Sequence, residues 1–490
     1  MNNMRPTLEE AKKMAASGDY RRIPVSCEIP TDGITPSDVM KRLRYVSRHC
    51  FLLESAEDNQ KWGRYTFLGY DPEVEITCQD GQMRIASNTE QLQQVQHPGD
   101  VIRKILAENK SPRIPGQPSF TGGLVGYFSY DYIKYAEPVL NFGQEGAEDF
   151  KDVDLMLFDK VIAFDRKEDK IVLICGAKTG DLDTAYHKAE MELAMMAELV
   201  TGGRQAEFVP ISLEEELKPR FSKERYCDMV RKAQHYIHEG DIFQVVLSNP
   251  LEAKAAGNLF GTYEVLRRTN PSPYMFYFAS DSIELAGASP ETLVKLEGDT
   301  LHTFPLAGTR KRGATPQEDE ELERDLLKDE KELAEHNMLV DLGRNDIGKV
   351  STIGSVQVED YMQVLRFSHV MHIGSTVAGT IRPDLDAVDA MDSILPAGTL
   401  SGAPKIRACQ IIHELEGGNR GVYGGAIGYL DFAGNMDTCI AIRLAYKRGD
   451  KVYVRSGAGI VADSVPESEF EECINKAKAV VQALPQGKED

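Results

Sequence analysis

Apolar residues recur along this chain in two rhythms, and each predicts an element. Ser222 precedes Tyr226, Met229, Val230, Ala233, Tyr236 and Ile237, the i, i+3, i+4, i+7 spacing of a helix with an N-cap serine, and Gly240 ends it. Residues 241–248 (D-I-F-Q-V-V-L-S) then read as a strand, with Gln244 the one amide in an apolar run. Residues 466–484 predict a closing helix whose stripe is Phe470, Cys473, Ile474, Ala477 and Val481, with Glu469, Glu472 and Lys476 gathered off its flank. By periodicity alone that flank is a solvated face. In residues 304–346 a turn, P-L-A-G-T-R-K-R-G, leads into a helix carrying Glu332 and Glu335 as E-L-A-E-H. Residues three apart share a helix face, and Glu335 lies in line with Met338, Leu339 and Leu342, beside a stripe that should be buried. A buried carboxylate needs a cation or donors. The alternative is a surface ion pair, for instance Lys331 with Glu335.

The N-terminal half has a different texture. Short strand-like runs at 74–77, 154–158 and 170–175 alternate with turns, residues 143–149 predict an acidic surface loop, and residues 181–200 read as a helix. Periodicity breaks over 201–219. The expected organisation is an N-terminal domain over 1–202, a linker over 203–220 and a second domain over 221–484.

Composition narrows the function. With 490 residues, 42% hydrophobic, the chain is long enough for two or three domains with real cores. Its 56 basic against 77 acidic residues give a net charge of -21, and no basic cluster exceeds short pieces such as Arg310-Lys311-Arg312, so nucleic acid is not an expected partner. Eight dispersed cysteines without a C-x-x-C pair, no secretory leader and no apolar run of roughly 18 residues predict a reduced cytoplasmic protein with no membrane span.

Several motifs invite site readings. Gly457-Ala458-Gly459-Ile460-Val461-Ala462 satisfies G-x-G-x-x-A, but Asp463, Ser464 and Pro466 delay the next helix to about Glu467, which favours backbone donors for an anion other than a dinucleotide. His369 and His372 sit in a strand-like run, where residues three apart face opposite ways, so a zinc pair is not expected. The acidic pairs Glu332/Glu335 and Glu469/Glu472 are compatible with Mg²⁺, which takes oxygen ligands and commonly uses one or two carboxylates plus substrate oxygens. Spacing does not show that the two pairs meet.

The segments G-A-S-P-E (287–291), P-L-A-G-T-R (305–310), E-L-A-E-H-N-M-L-V-D-L-G-R-N-D (332–346), L-S-G-A-P-K (400–405), G-G-A-I-G-Y (424–429) and R-S-G-A-G-I (455–460) occur in an order that resembles the chorismate-utilising enzymes. Together with L-L-E-S (52–55) and G-R-Y-T-F-L-G (63–69), they most resemble the large-subunit (component I) branch of the anthranilate synthases. That resemblance implies an α+β fold in which two large β-sheets pack together, helices outside, both sheets shared by the two halves of the chain. It implies amination of chorismate at C2 with loss of the 4-hydroxyl, then elimination of pyruvate to give anthranilate, the entry to tryptophan synthesis.

The resemblance also implies roles. Glu335 and Glu472 match Mg²⁺ ligands, with Glu332 and Glu469 as neighbours acting through water; Glu291 matches the general acid at the departing hydroxyl, and His372 the histidine of the elimination step. Arg443, Tyr423, Lys476 and the Gly457-Ala458-Gly459 backbone match chorismate-binding groups, with Gly308 and Thr309 on the ring side. Gln244 stands where water-adding relatives carry a lysine base, which favours ammonia, already a nucleophile. Ala307 stands where aminodeoxychorismate synthases, the alternative, carry a lysine nucleophile. Ser55, Pro273, Tyr274 and Met275 match a tryptophan feedback site. No cysteine lies in the glycine-rich elbow of a glutamine amidotransferase, so a separate small subunit, hence a hetero-oligomer, is implied as the ammonia source.

Overall fold

A computed structural model describes residues 4–55, 63–140, 142, 150–366 and 370–484. The acidic segment 143–149 and His369 lie outside the described residues. Two antiparallel sheets of 13 and 12 strands dominate the described part. The first runs, in spatial order, through Arg22–Pro30, Lys170–Lys178, Lys160–Asp165, Tyr65–Tyr70 and Cys50–Glu54 of the N-terminal half. It continues through Tyr274–Ala279, Glu284–Ser289, Leu444–Arg448, Lys451–Ile460 and Gln244–Ala256. The second runs from Leu306–Lys311 and Val370–Thr380 through Thr292–Glu297, Met436–Ile440 and Ala426–Asp431 to Gly123–Phe128, Val153–Phe158 and Val74–Gln79. Each sheet therefore crosses once between the halves, at Cys50–Glu54 against Tyr274–Ala279 and at Gly123–Phe128 against Ala426–Asp431. The expected sharing of both sheets is observed.

Strand alternation explains the layers. In Tyr65–Tyr70, Phe67 faces the space between the sheets and Leu68 the opposite side. Between the sheets lies an aromatic core that includes Phe51, Phe120, Phe158, Phe276 and Tyr429. The outer face of the first sheet is covered by Pro36–Val46, Leu182–Gly202 and Pro466–Ala483, and that of the second by Pro98–Ala107, Glu330–Gly348 and Ala387–Ile394. Both faces of each sheet are thus buried over much of their area, which is why the strands read as short apolar runs rather than clean alternations.

Local differences from the sequence reading have simple causes. The helix after Ser222 spans Lys223–His238, with the Ser222 hydroxyl accepting from the Arg225 N–H at 3.3 Å. The following strand begins only at Gln244 because Gly240 turns with φ +83° and Asp241 is held by Arg407 at 2.6 Å. It then continues to Ala256 because Lys451–Ile460 pairs with it position by position. Residues 203–220 include two short strands, Ser212–Leu213 and Lys218–Pro219, that pair with Gln244–Ala256. In the closing helix Val480, not Val481, is the buried residue after Ala477.

Candidate active site

The two sheets are joined by very short crossings, and these carry chemistry. Glu284–Ser289 belongs to the first sheet and Thr292–Glu297 to the second, so Pro290 and Glu291 span the gap. Met436–Ile440 and Leu444–Arg448 are joined the same way through Arg443, whose φ of +50° lies in the left-handed region that a non-glycine residue seldom occupies. The crossings are stitched together: Ile440 N–H donates to the Glu291 carbonyl at 3.0 Å and Ala288 N–H to the Arg443 carbonyl at 3.1 Å. Glu291 and Arg443 therefore face one cavity, of about 720 Å³.

Burial governs both groups. Glu291 is 9% exposed and accepts a hydrogen bond from Thr399 Oγ1 at 3.2 Å. Loss of solvent pushes its carboxyl up to about 8, against weaker opposition from Thr399 and Arg443, so it is held protonated near neutral pH. The Arg443 guanidinium makes no hydrogen bond or ion pair among the described residues, and burial lowers its pKa while Glu291 opposes that. A guanidinium without an acceptor, facing a cavity, suits a ligand carboxylate.

His372 is placed by a bulge. Thr309 pairs with His372, but the register slips between Ala307 and Thr309, leaving Gly308 as the extra residue with φ +65°. His372 Nδ1 lies 2.9 Å from the Gly308 carbonyl and 3.1 Å from Thr309 Oγ1. The carbonyl can only accept, so Nδ1 carries the proton and Nε2 is the lone-pair nitrogen. Burial lowers the pKa of the ring. A Cβ at Gly308 would lie 3.0 Å from Leu326 and 3.4 Å from Glu332 Oε2, so this turn packs directly against the acidic helix.

The two acidic pairs come from opposite walls. Glu330–Gly348 packs over the strands of the second sheet that hold Gly308 and His372, and Pro466–Ala483 over Lys451–Ile460 of the first. Glu332, Glu335, Glu469 and Glu472 all line the cavity. Burial raises Glu332, with Glu335 adding to the effect, and burial likewise raises Glu469, with Glu472 adding. Cations offset the charge at the rim: Arg310 lies 3.7 Å from Glu332 and Lys476 2.7 Å from Glu472. Among the described residues no three of these carboxylates bring oxygens within 4.8 Å of one another. Oxygen-only donors in mutually repelling pairs on two walls fit a Mg²⁺ ion that takes few protein ligands and completes its shell with substrate and water. All four carboxylates could supply oxygens to it, and the resemblance singles out Glu335 and Glu472 as the residues that would hold it.

The glycine segment forms the remaining wall. Val246 N–H donates to the Ser401 carbonyl and Ser248 N–H to Glu416, both away from Lys451–Ile460. Their partners in the antiparallel ladder, Gly459 and Gly457, accordingly turn their polar groups to the open edge, where Lys476 Nζ donates to the Gly457 carbonyl at 3.3 Å. Ala458 does not share that edge. It pairs with Leu247, and its side chain lies in the core with Tyr226 and Cys409, because successive residues of a strand alternate. Gln244 reaches over Gly459, with its Oε1 buried and unbonded among the described residues, and Tyr423 is buried against Gly457.

The residues expected at a feedback site are distributed. Met275 pairs directly with Glu54, placing L-L-E-S beside Tyr274 and Met275 at the seam of the first sheet. Met275 enters the outer core, whereas the Tyr274 hydroxyl donates to Asp437 at 2.8 Å. Pro273 lines the large cavity itself, and the Ser55 carbonyl accepts from Arg166 at 2.5 Å. Sequence reasoning missed Thr399, the donor to Glu291, although it immediately precedes L-S-G-A-P-K. Residues 270–272 of the N-P-S-P-Y-M segment, expected with Pro273 at the feedback site, line this cavity beside it.

Residues 48–482 match the family described as chorismate binding enzyme. The chain is 45% identical over 493 residues to the anthranilate synthase component 1 of Acetivibrio thermocellus, with 99% of each chain covered. It is 42% identical to that of Aquifex aeolicus, with 98% of each covered. The crystal structure of anthranilate synthase component I from Streptococcus pneumoniae, 38% identical, superposes with a TM-score of 0.74 over 85% of this chain and 92% of that one. The menaquinone-specific isochorismate synthase of Escherichia coli, 19% identical, shares the fold with a TM-score of 0.71. The matched span supplies every wall of the cavity just described, and the chain belongs to the chorismate binding enzyme family.

Proposed function

We propose that this chain converts chorismate and ammonia to anthranilate and pyruvate, using Mg²⁺, with ammonia supplied from glutamine by a separate amidotransferase subunit. The observation that carries the reading is the meeting, in one cavity, of a carboxylic acid held protonated, a guanidinium without an acceptor and two opposed carboxylate pairs. The named relatives at 42–45% identity over nearly the whole chain select the anthranilate branch.

In this reading Arg443 and the outward-turned Gly457 and Gly459 backbone hold the enolpyruvyl carboxylate. Glu291 gives its proton to the departing 4-hydroxyl, which leaves as water while ammonia adds at C2. His372, neutral with its lone pair on Nε2, takes the C2 proton as pyruvate departs and the ring becomes aromatic. Mg²⁺ bound by Glu335 and Glu472 would offset the negative charge of the ring carboxylate. Gln244 has no basic lone pair with which to deprotonate water, consistent with ammonia as the nucleophile. Ala307 lines the cavity where the 4-amino branch carries a lysine, so that alternative lacks its nucleophile.

Tryptophan feedback through Ser55, Pro273, Tyr274 and Met275 belongs to the same proposal. Its support is adjacency: the seam strands Cys50–Glu54 and Tyr274–Ala279 lead straight into residues 270–273 on the cavity wall. The test of the catalytic reading is product identification. Purified chain with chorismate, Mg²⁺ and an ammonium salt should yield anthranilate by fluorescence and mass, and glutamine should replace ammonium only after an amidotransferase subunit is added. Isochorismate or a 4-amino product would overturn it.

A further inference from the structure

Two motif segments end in charges that the proposed chemistry does not use: R-N-D in Asp346, and L-S-G-A-P-K in Lys405. These charges meet each other. Lys405 Nζ donates to Asp346 Oδ2 at 2.6 Å and to the Ile394 carbonyl at 2.8 Å, with the two side chains 9% and 5% exposed. Withdrawing a charge pair this far from water costs desolvation that a surface pair escapes, so its position calls for a reason.

Asp346 lines a second cavity, of about 30 Å³, whose wall also includes Glu291, Thr399, Thr303 and Gly343. Glu291 and Thr399 border the large cavity too, so the small one adjoins it through the acid. Asp346 Oδ1 is buried and makes no hydrogen bond among the described residues; Lys349 Nζ, at 4.0 Å, is beyond hydrogen-bond reach. The cavity has room for one water molecule and offers it the two to four polar partners that a buried water requires.

We propose that Asp346 and Lys405 are positioning residues for Glu291, acting through one ordered water that donates to Asp346 Oδ1 and to Glu291 Oε1. The inference rests on Glu291 being the acid of the reaction proposed above. Thr399 already donates to Oε1 at 3.2 Å. Two donors on Oε1 make it the acceptor oxygen, so the acid proton resides on Oε2 and is available to the departing hydroxyl. Burial raises the Asp346 pKa, and the Lys405 ammonium at 2.6 Å opposes that, favouring the anion that accepts. The charged groups facing this chain of contacts are Arg443 at Glu291, and Lys405 and Lys349 at Asp346.

A crystal structure of the wild-type full chain should show a water in the small cavity within hydrogen-bond distance of both Asp346 and Glu291. In parallel, kcat and KM for chorismate are measured across pH for wild type, Asp346→Asn and Lys405→Met with Mg²⁺ and an ammonium salt. Misplacing the acid proton should lower kcat on the order of 10- to 100-fold with little change in KM. Asp346→Asn removes a negative charge behind Glu291 and should move the basic limb of the profile to lower pH. Lys405→Met leaves that charge uncompensated and should move it to higher pH. A purely structural pair would lower kcat or thermal stability without opposed displacements. A dry cavity, or limbs that stay fixed or move together, overturns the proposal; if the variants do not fold, the wild-type crystal decides. Failure of wild type to form anthranilate would instead reject the reaction and leave the water site to stand or fall on the crystal.

Discussion

Glu291 and Glu416 are two glutamates withdrawn from solvent, 9% and 7% exposed, and their neighbours send them in opposite directions. For both, burial is the largest influence and acts to raise the pKa. At Glu291 the opposition is one hydroxyl and the charge of Arg443, and the carboxyl ends at about 8. At Glu416 the guanidiniums of Arg420 and Arg455 each approach to 2.6 Å, Ser248 N–H donates at 2.8 Å, and together they more than offset burial and lower the pKa. One carboxyl is kept as an acid with a proton to give. The other is a fixed charge that ties the end of Lys405–Glu416 to Arg420 just beyond it and to Arg455 on the strand bearing the glycine wall. Burial is common to both, and the supply of cations decides the role.

The largest break in this comparison should come at Glu291. Glu291→Gln keeps the shape and removes the proton, so anthranilate formation from ammonium should fall about 10²- to 10⁴-fold with the fold intact by circular dichroism. In wild type, kcat/KM should decline as pH rises through about 8, where Glu291 ionises. Stability carries the same sign. The folded pKa exceeds the ordinary 4.5, so the contribution is full below that value and is lost as pH rises through about 8. Glu291→Gln should remove that decline from pH-dependent denaturation curves.

Glu416 should behave in reverse. Its folded pKa lies below the ordinary 4.5, so its contribution is present above that value and lost as pH falls through the depressed one. Glu416→Gln leaves two buried guanidiniums without their counter-charge and should cost about 3–5 kcal/mol in a denaturant titration. Unchanged stability would mean that the triad does not anchor the wall.

The half-exposed pairs form an intermediate case. Glu335→Gln and Glu472→Gln should each raise the Mg²⁺ concentration for half-maximal activity at least about tenfold, since an ion held by few protein oxygens cannot spare one. Normal metal dependence in either variant removes that residue from the ligand set. Ser55→Ala tests the smallest effect. Loss of one hydrogen-bonding group typically costs ~1–3 kcal/mol, enough to raise the tryptophan concentration for half-inhibition about tenfold, with turnover in the absence of tryptophan unchanged. Inhibition identical to wild type would detach Ser55 from control.

Much of this was legible before any coordinates. Local rules located the helix after Ser222, the closing helix at Pro466 and the helix bearing Glu332 and Glu335, because capping and the 3.6-residue period depend on near neighbours alone. Ordered motifs supplied the family and the two-sheet fold, and they named many of the residues that the fold brings to one cavity. The same local rules read Glu469 and Glu472 as a solvated flank; Glu472 is exposed and Glu469 only partly so, but helical periodicity has no signal for the cavity that this flank also borders. Ala458 was grouped with its glycine neighbours because a motif does not show strand orientation; the ladder to Gln244–Ala256 turned its polar groups inward.

The sequence by itself determined the residue types, the helices and the family, since these follow from short-range periodicity and ordered motifs. Only the tertiary structure decided which charges stay bare and which are matched. Glu291 and Arg443 face one cavity because both occupy crossings between sheets, and Asp346 finds Lys405 across 59 positions of chain. A carboxyl's proton depends on the charges and solvent within a few ångströms, and in a two-sheet fold those neighbours come from distant parts of the chain.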